Sequence, residues 1–300
     1  MSLKTILVGT SLDELSDPVV RAAAELARQT GAGLYLLHAH ALPVAYFAAP
    51  TGFTAVSPDL LETEHQVRRQ MLDEQLKRLE IDPGSLAGTI IEAGAPHRML
   101  LEAAATHKAG LIVMGARETA GRALHGSTTD RVLRKAICPI WVVAGDSKLP
   151  PEQVLAPVDL SPLSDECLRT ALSILAQLEG AGGDIGALFV LEDEEHESST
   201  QFTPEQIERL AHEELDRFVD RLPGGEGIRR TVLIGDIRKQ ILGEIERSSV
   251  DLLVLGTHGR SGFERFLLGS VASDMAGQAR CNVLIVPPAE ADSGGSEGDS

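Results

Sequence analysis

Cysteine is scarce and scattered. Cys138, Cys167 and Cys281 are the three thiols of the chain, and no Cys-x-x-Cys occurs. An odd, dispersed set supports neither a disulfide framework nor a structural zinc site, and it points to a reducing compartment. Basic residues are also short. There are 27 Lys and Arg against 44 Asp and Glu, a formal net charge of −17. Such a chain repels nucleic-acid backbones and anionic membrane, so neither is expected as a partner. No apolar run approaches the roughly 20 residues of a membrane span. Residues from Thr5 onward enter a strand directly, with no signal-peptide pattern before them, so the expected location is the cytoplasm. Aromatics make up only 3%, yet hydrophobic residues reach 43%, enough for real cores. A length of 300 residues suggests two domains of ordinary size.

What is present centres on Asp251 to Val271. The apolar run Leu252 to Leu255 stops at Gly256, as a short buried strand does. A loop with glycines at 256, 259, 262 and 269 follows, and Ser270 opens a segment with helical apolar spacing. Strand, glycine loop and helix start together cradle phosphate. Glycines let main-chain N–H groups approach an anion, and the first helical turn adds unpaired donors and partial positive charge. Neither Gly-Lys-Ser/Thr nor Gly-x-Gly-x-x-Gly is present. The spacing is Gly-x2-Gly-x9-Gly-Ser, and it resembles the nucleotide loop of the universal stress protein family in its ATP-binding branch.

The chain is also a repeat. Thr5 to Asp17 matches Gln153 to Asp165, Leu111 to Gly115 matches Leu252 to Gly256, Gly126-Ser127 matches Gly269-Ser270, and Cys138 to Val143 matches Cys281 to Val286. The offset is roughly 140 residues, a whole duplicated domain and too long a period for a solenoid. Each half reads as five strands alternating with four helices. In the first, helices are expected to start at Ser16 as N-cap, at Ser57-Pro58-Asp59, and after Pro96. In the second the matching elements start at Val154, Ser164, Ile185, Thr203, Val232, Ile237, Leu252, Ser270 and Val283. Alternating strands and helices imply an α/β fold, a parallel sheet with helices on both faces, and a ligand beyond the carboxyl ends of the strands. The family resemblance implies two tandem Rossmann-like domains of the adenine nucleotide alpha hydrolase type, each five-stranded in the order 3-2-1-4-5. The expected boundaries are 1–145 and 152–288, with Asp146 to Pro151 as linker and an acidic, glycine- and serine-rich tail at 289–300 expected to be disordered.

The resemblance also implies site residues, all in the second half. Pro157, Val158 and Asp159 end its first strand beside the nucleotide, and Val190 occupies a base-contacting position. Leu255 and Gly256 flank the ribose, while His258, Gly259, Arg260, Gly269, Ser270 and Val271 fall on phosphate positions. ATP is the implied ligand, with Mg²⁺ held mainly by its phosphates. Asp159 also reads as a turn residue before Ser164. In the first half Ser11 replaces the aspartate, Glu118 replaces the second glycine, and the loop is two residues shorter. A carboxylate facing phosphate opposes binding, with Arg117 and Arg122 offsetting part of that effect. One ATP per chain is therefore expected, in the second half.

Other candidates carry less. His38 and His40 share a strand face that His125 approaches, and the reading as polar residues at a cleft mouth outweighs a metal site. The remaining histidines, including His65, His97, His107, His196 and His212, read as surface. Three aromatics, Tyr46, Phe47 and Phe53, fall in the connection from Pro43 to Pro58. Packing against the protein is the first reading of that segment, and a flap over a small apolar ligand in the first half is the second. Glu62, Glu64, Arg68, Arg69, Asp73, Glu74, Lys77 and Arg78 read as a solvated helix face, and the acidic run at 192–197 as a solvated loop. No general base or nucleophile stands near the glycine loop, so any hydrolysis is expected to be slow. The leading expectation is a regulatory module that binds adenine nucleotide; the alternative is a protein-interaction module without nucleotide. Family members commonly pair through the last strand, so Trp141 to Val143 and Leu284 to Val286 are expected to meet inside the chain as a pseudo-dimer. A homodimer of chains is left open.

Overall fold

The computed structural model describes residues 2–40, 58–116, 128–145, 148–180, 183–192, 202–257 and 269–288. Within them the first half runs β1 (Thr5–Gly9), α1 (Asp17–Thr30), β2 (Gly33–His40), α2 (Pro58–Arg78), β3 (Gly88–Ala93), α3 (Pro96–Thr106), β4 (Leu111–Gly115), α4 (Thr128–Leu133) and β5 (Ile140–Val143). The second runs β6 (Gln153–Val158), α5 (Pro162–Leu175), β7 (Asp184–Leu191), α6 (Pro204–Asp220), β8 (Ile228–Ile234), α7 (Ile237–Arg247), β9 (Leu252–Gly256), α8 (Ser270–Gln278) and β10 (Asn282–Val286).

Inside each half the strands pair parallel in the order 3-2-1-4-5. The halves then join. β5 and β10 pair antiparallel, with Val142 opposite Val283, Trp141 opposite Leu284 and Ile140 opposite Ile285. The last strands meet inside the chain, and two five-stranded sheets become one mixed sheet of ten strands, β3-β2-β1-β4-β5-β10-β9-β6-β7-β8. Because the junction is antiparallel, the loop ends of the two halves open at opposite edges of this sheet.

Strand alternation sends successive side chains to opposite faces. Ile6 and Val8 join one buried layer with α1, α2, α5 and α6, while Leu7 joins the other with α3, α4, α7 and α8. Both layers continue through the junction, for Trp141 and Leu284 share the first, and Val142 and Val283 the second. Buried on both faces, the central strands are near-continuous apolar runs, such as Leu111 to Met114 and Leu252 to Leu255.

Helix ends show where local chemistry differs from the expected pattern. α1 ends at Gly31, whose φ of +69° suits a residue without Cβ. Thr203 and Gln206 form the reciprocal capping box that starts α6. α5 begins earlier than expected, capped by Ser161, whose hydroxyl accepts from the Ser164 N–H at 3.3 Å. Ser16 precedes α1 but makes no side-chain cap bond. A 3-10 turn over Glu14–Ser16 stands before it, capped by Asp13. β8 starts at Ile228, four residues before the expected Val232, because Ile228 to Thr231 already pair with β7.

Glu62, Glu64, Arg68, Arg69, Asp73, Glu74, Lys77 and Arg78 are exposed or half-buried, as expected of a solvated face of α2, but a buried polar contact lies beside them. Gln75 is fully buried; its Oε1 accepts from Thr10 Oγ1 at 2.8 Å, and its Nε2 donates to Ser16 Oγ at 3.0 Å and Asp17 Oδ1 at 2.8 Å. Arg78 grips the Asp17 carboxylate with two bonds, Nε to Oδ2 at 2.6 Å and Nη2 to Oδ1 at 2.8 Å. The Arg78 hydrogen bond is the main reason that the Asp17 carboxyl is held below the usual range, against the opposing effect of burial. A depressed carboxylate stabilises the fold above its unfolded pKa, and that contribution is lost as the pH falls through the folded value. The network pins α2 to α1.

Candidate functional site

In the second half, β6 and β9 end side by side, and the chain leaves both at the same sheet edge. β6 passes into a sharp turn. Leu160 adopts φ +63°, a strained value for a side-chain-bearing residue. Asp159 holds that turn: its Oδ1 accepts from Ser161 N at 3.0 Å and from Ser164 Oγ at 2.6 Å. The first half keeps the strained residue, Leu12 at φ +65°, but holds it differently. There Thr10 Oγ1 accepts from Leu12 N at 3.0 Å, and Ser11 donates to Asp13 at 2.6 Å.

Beyond these strand ends lies a cavity of about 380 Å³. Its lining includes Pro157, Val158 and Asp159 from the end of β6, and Val190 from β7. Leu255 and Gly256 line it from the end of β9, and Gly269, Ser270 and Val271 from the start of α8. Of the residues singled out from sequence, His258, Gly259 and Arg260 lie outside the described residues. The cavity also takes in residues that sequence reasoning did not assign to it, among them Ser164, Glu192, Ile237 and Ile241. The last two come from α7, which Asp236 caps through a bond to Lys239 N at 2.9 Å. An N-cap followed by apolar residues four apart was the available signal, but the same pattern marks any core-facing helix.

The ends of α5, α6 and α7 are each capped by a side chain: Ser161, Thr203 and Asp236. α8 is not. Gly269 stands at its N-cap, offers no side chain, and uses its own N–H on Thr257 O at 2.6 Å. Among the described residues no side chain caps the first N–H groups of α8, and its opening residues Ser270, Val271 and Ala272 line the cavity. Donors at such a helix start suit an anion. The walls are otherwise mostly apolar, with the Asp159 carboxylate among them, so the cavity combines surfaces for a flat ring, a hydrogen-bond acceptor and an anion cradle.

Gly256 has a packing reason to be glycine in addition to any ligand reason. A Cβ there would stand 2.8 Å from Leu163 Cγ and Cδ2 and 3.3 Å from Cys167 Sγ. α5 thus packs directly on the end of β9.

The three thiols offer no nucleophile. Cys138, Cys167 and Cys281 are all buried and unpaired with one another. Burial pushes the Cys138 thiol up to about 12 and that of Cys281 up to about 11, and raises Cys167 as well. At pH 8 the folded protein is therefore expected to leave a disulfide reagent such as dithionitrobenzoate unreacted over minutes, and to release three thiols per chain in denaturant. Rapid reaction of any thiol in the folded state contradicts this environment.

In the first half, His38 is buried, and its Nδ1 lies 3.0 Å from Thr10 O. Burial is the main cause holding its pKa below the ordinary histidine value. The His38 and His40 rings lie 6.1 Å apart and nearly parallel. No group of three or more His, Cys, Asp or Glu able to hold a metal occurs among the described residues. His125, the altered loop from Arg117 to Ser127, and the aromatic connection with Tyr46, Phe47 and Phe53 lie outside them, as do residues 193–201 and 289–300.

The model of the universal stress protein family matches twice, at residues 2–144 and 151–287. A universal stress protein of Mycolicibacterium smegmatis is 31% identical over 299 residues, covering 94% of this chain and 97% of its own. One from Mycobacterium tuberculosis is 28% identical over 300 residues, covering 93% and 95%. Among solved structures, a universal stress protein of Archaeoglobus fulgidus superposes with a TM-score of 0.64 at 17% identity, over 95% of this chain and 97% of that one. At that identity the likeness speaks for the fold.

Proposed function

The chain belongs to the universal stress protein family and carries its domain twice, and from that premise we propose that it is a nucleotide-binding regulatory module holding one ATP in its second half. The observation that carries this reading is the uncapped start of α8 facing an apolar-walled cavity that also contains Asp159. The residues present suit the ligand. Val158, Val190 and Leu255 offer walls for adenine, Asp159 accepts hydrogens from base or ribose, and the N–H groups of Ser270 and Val271 meet phosphate. His258 and Arg260 are assigned to the phosphates by their place in the glycine loop, and Mg²⁺ is proposed to arrive with the nucleotide, held mainly by phosphate oxygens.

The two units are proposed at 1–145 and 152–288, and the first is proposed to bind ATP weakly or not at all. Where the second has Asp159, the first has Ser11, an exposed hydroxyl already donating to Asp13. The bound nucleotide is proposed to act as a signal more than as a substrate. Native mass spectrometry with ATP and Mg²⁺ is expected to show one nucleotide per chain. Two equivalent nucleotides would overturn the assignment to one half. None, together with no ATP-induced rise in Tm, would favour a protein-interaction module instead.

A further inference from the structure

We propose that the outer face of α3 and α4 is the docking surface for the chain's own acidic C-terminal segment, residues 289–300. The face is basic in a chain of net charge −17. His97, half-buried, and Arg98 open α3; Arg131, Arg134 and Lys135 lie along and just after α4. His97 is held below its ordinary pKa by burial first, then by the nearby charges of Arg131, Lys135 and Arg98. Two carboxylates share the face, and each is already engaged. Glu102 pairs with Arg98 at 3.6 Å, and the buried Asp130 with Arg134 at 3.0 Å. Arg131 and Lys135 are exposed and have no ion pair among the described residues. The second half neutralises the matching place: Asp274 stands where Arg131 does, and Arg238 bonds it at 2.7 Å. Like charges held together without a counter-charge disfavour the fold unless an anion joins them.

Topology supplies the anion. β10 runs antiparallel to β5 with Ile285 opposite Ile140. Continuing that register brings Pro287 and Pro288 beside the turn between α4 and β5, which holds Lys135 and the exposed Ile137. The segment that leaves from this point carries Glu290, Asp292, Glu297 and Asp299 and no cation. At roughly 3.3–3.6 Å per extended residue it spans about 40 Å, enough to cross both helices. Its first carboxylate follows Pro288 by only two positions, so the local concentration of acid at Lys135 is high.

The test uses the full chain and a zero-length carbodiimide, which joins carboxylates to amines. The chain has six lysines, Lys4, Lys77, Lys108, Lys135, Lys148 and Lys239. At low salt Lys135 is expected to carry at least about fivefold more cross-link to residues 290–299 than any other lysine, as two or three exposed ion pairs acting together would give. That excess should vanish in about 1 M salt, where the Debye length is about 3 Å. It should also fall in Arg131→Glu, a substitution at an exposed position that leaves Lys135 in place. Even distribution over the lysines, or no response to Arg131→Glu, overturns the proposal. So does cross-linking mainly between ¹⁵N-labelled and unlabelled chains in a mixture, which would assign the face to a second copy.

Discussion

Asp159→Ala is expected to weaken ATP binding by roughly 10- to 150-fold, while costing the fold only about 1 kcal/mol. The first figure follows from a charge-assisted hydrogen bond, about 1.5–3 kcal/mol, lost from a cavity that keeps its apolar walls and anion cradle. The second follows from the bonds that the carboxylate makes to its own turn, to Ser161 N and Ser164 Oγ. Asp159→Asn separates the two effects. It keeps an acceptor for Ser161 and Ser164, so stability should stay near that of the parent chain. It loses the charge, so ATP affinity should fall part of the way. Titration calorimetry with ATP, paired with denaturant unfolding, reads both. Unchanged affinity in both variants, at unchanged stoichiometry, would remove Asp159 from the binding site and leave it a turn residue.

The matching residue of the first half makes a natural control. Ser11→Asp restores the aspartate at the equivalent strand end, but it does not restore the glycine that Glu118 replaces. One substitution should therefore fail to create a second strong site. The two halves differ in at least two places that the proposed site would use, and for that reason neither half's competence can be judged from one residue.

Much of this architecture was legible before any coordinates. The duplication is visible because matching residues recur in order, and the sheet's parallel character follows from alternating elements. Pro157, Asp159, Gly256 and Ser270, which the family resemblance singled out, line one cavity because they sit at strand ends or a helix start. The α7 wall was not legible. Ile237 and Ile241 carry the spacing of any amphipathic helix, and nothing local says that the covered surface is a cavity and not a core. The role of α2 was hidden for the opposite reason. Gln75 sits among Asp73, Glu74, Lys77 and Arg78, a stretch that reads as solvated, yet tertiary contacts bury it completely against Thr10 and Ser16. Polar residues announce burial only through their partners, and these lie 58 to 65 positions away. The start of α1 was read at the right place, with Ser16 at its N-cap, but the Ser16 hydroxyl makes no capping bond and instead donates to Asp13 O and accepts from Gln75 Nε2.

Trp141→Ala is expected to cost about 3–5 kcal/mol, and to destabilise both halves together. Trp141 is the only tryptophan, is fully buried, and lies opposite Leu284 where β5 meets β10. Its indole Nε1 has no hydrogen-bond partner among the described residues, so its contribution is packing. Multidomain chains ordinarily unfold in steps. Here both hydrophobic layers pass through the junction without a break, and two bonds from backbone to side chain between the halves reinforce it. Leu3 N donates to Gln177 Oε1 at 3.0 Å, and Ala144 N to Asn282 Oδ1 at 3.4 Å. Neither half can expose its β5 or β10 face without uncovering the other's core. The parent chain should accordingly melt in one calorimetric transition whose enthalpy matches the van't Hoff value. In Trp141→Ala that transition should move down as a whole, far-UV circular dichroism and thiol release from Cys138 and Cys281 shifting in step. The two thiols report separately, one from each half. If Cys138 became reactive well before Cys281, or if the variant displaced only one of two resolved transitions, the junction would be a contact between independent domains and not a shared core.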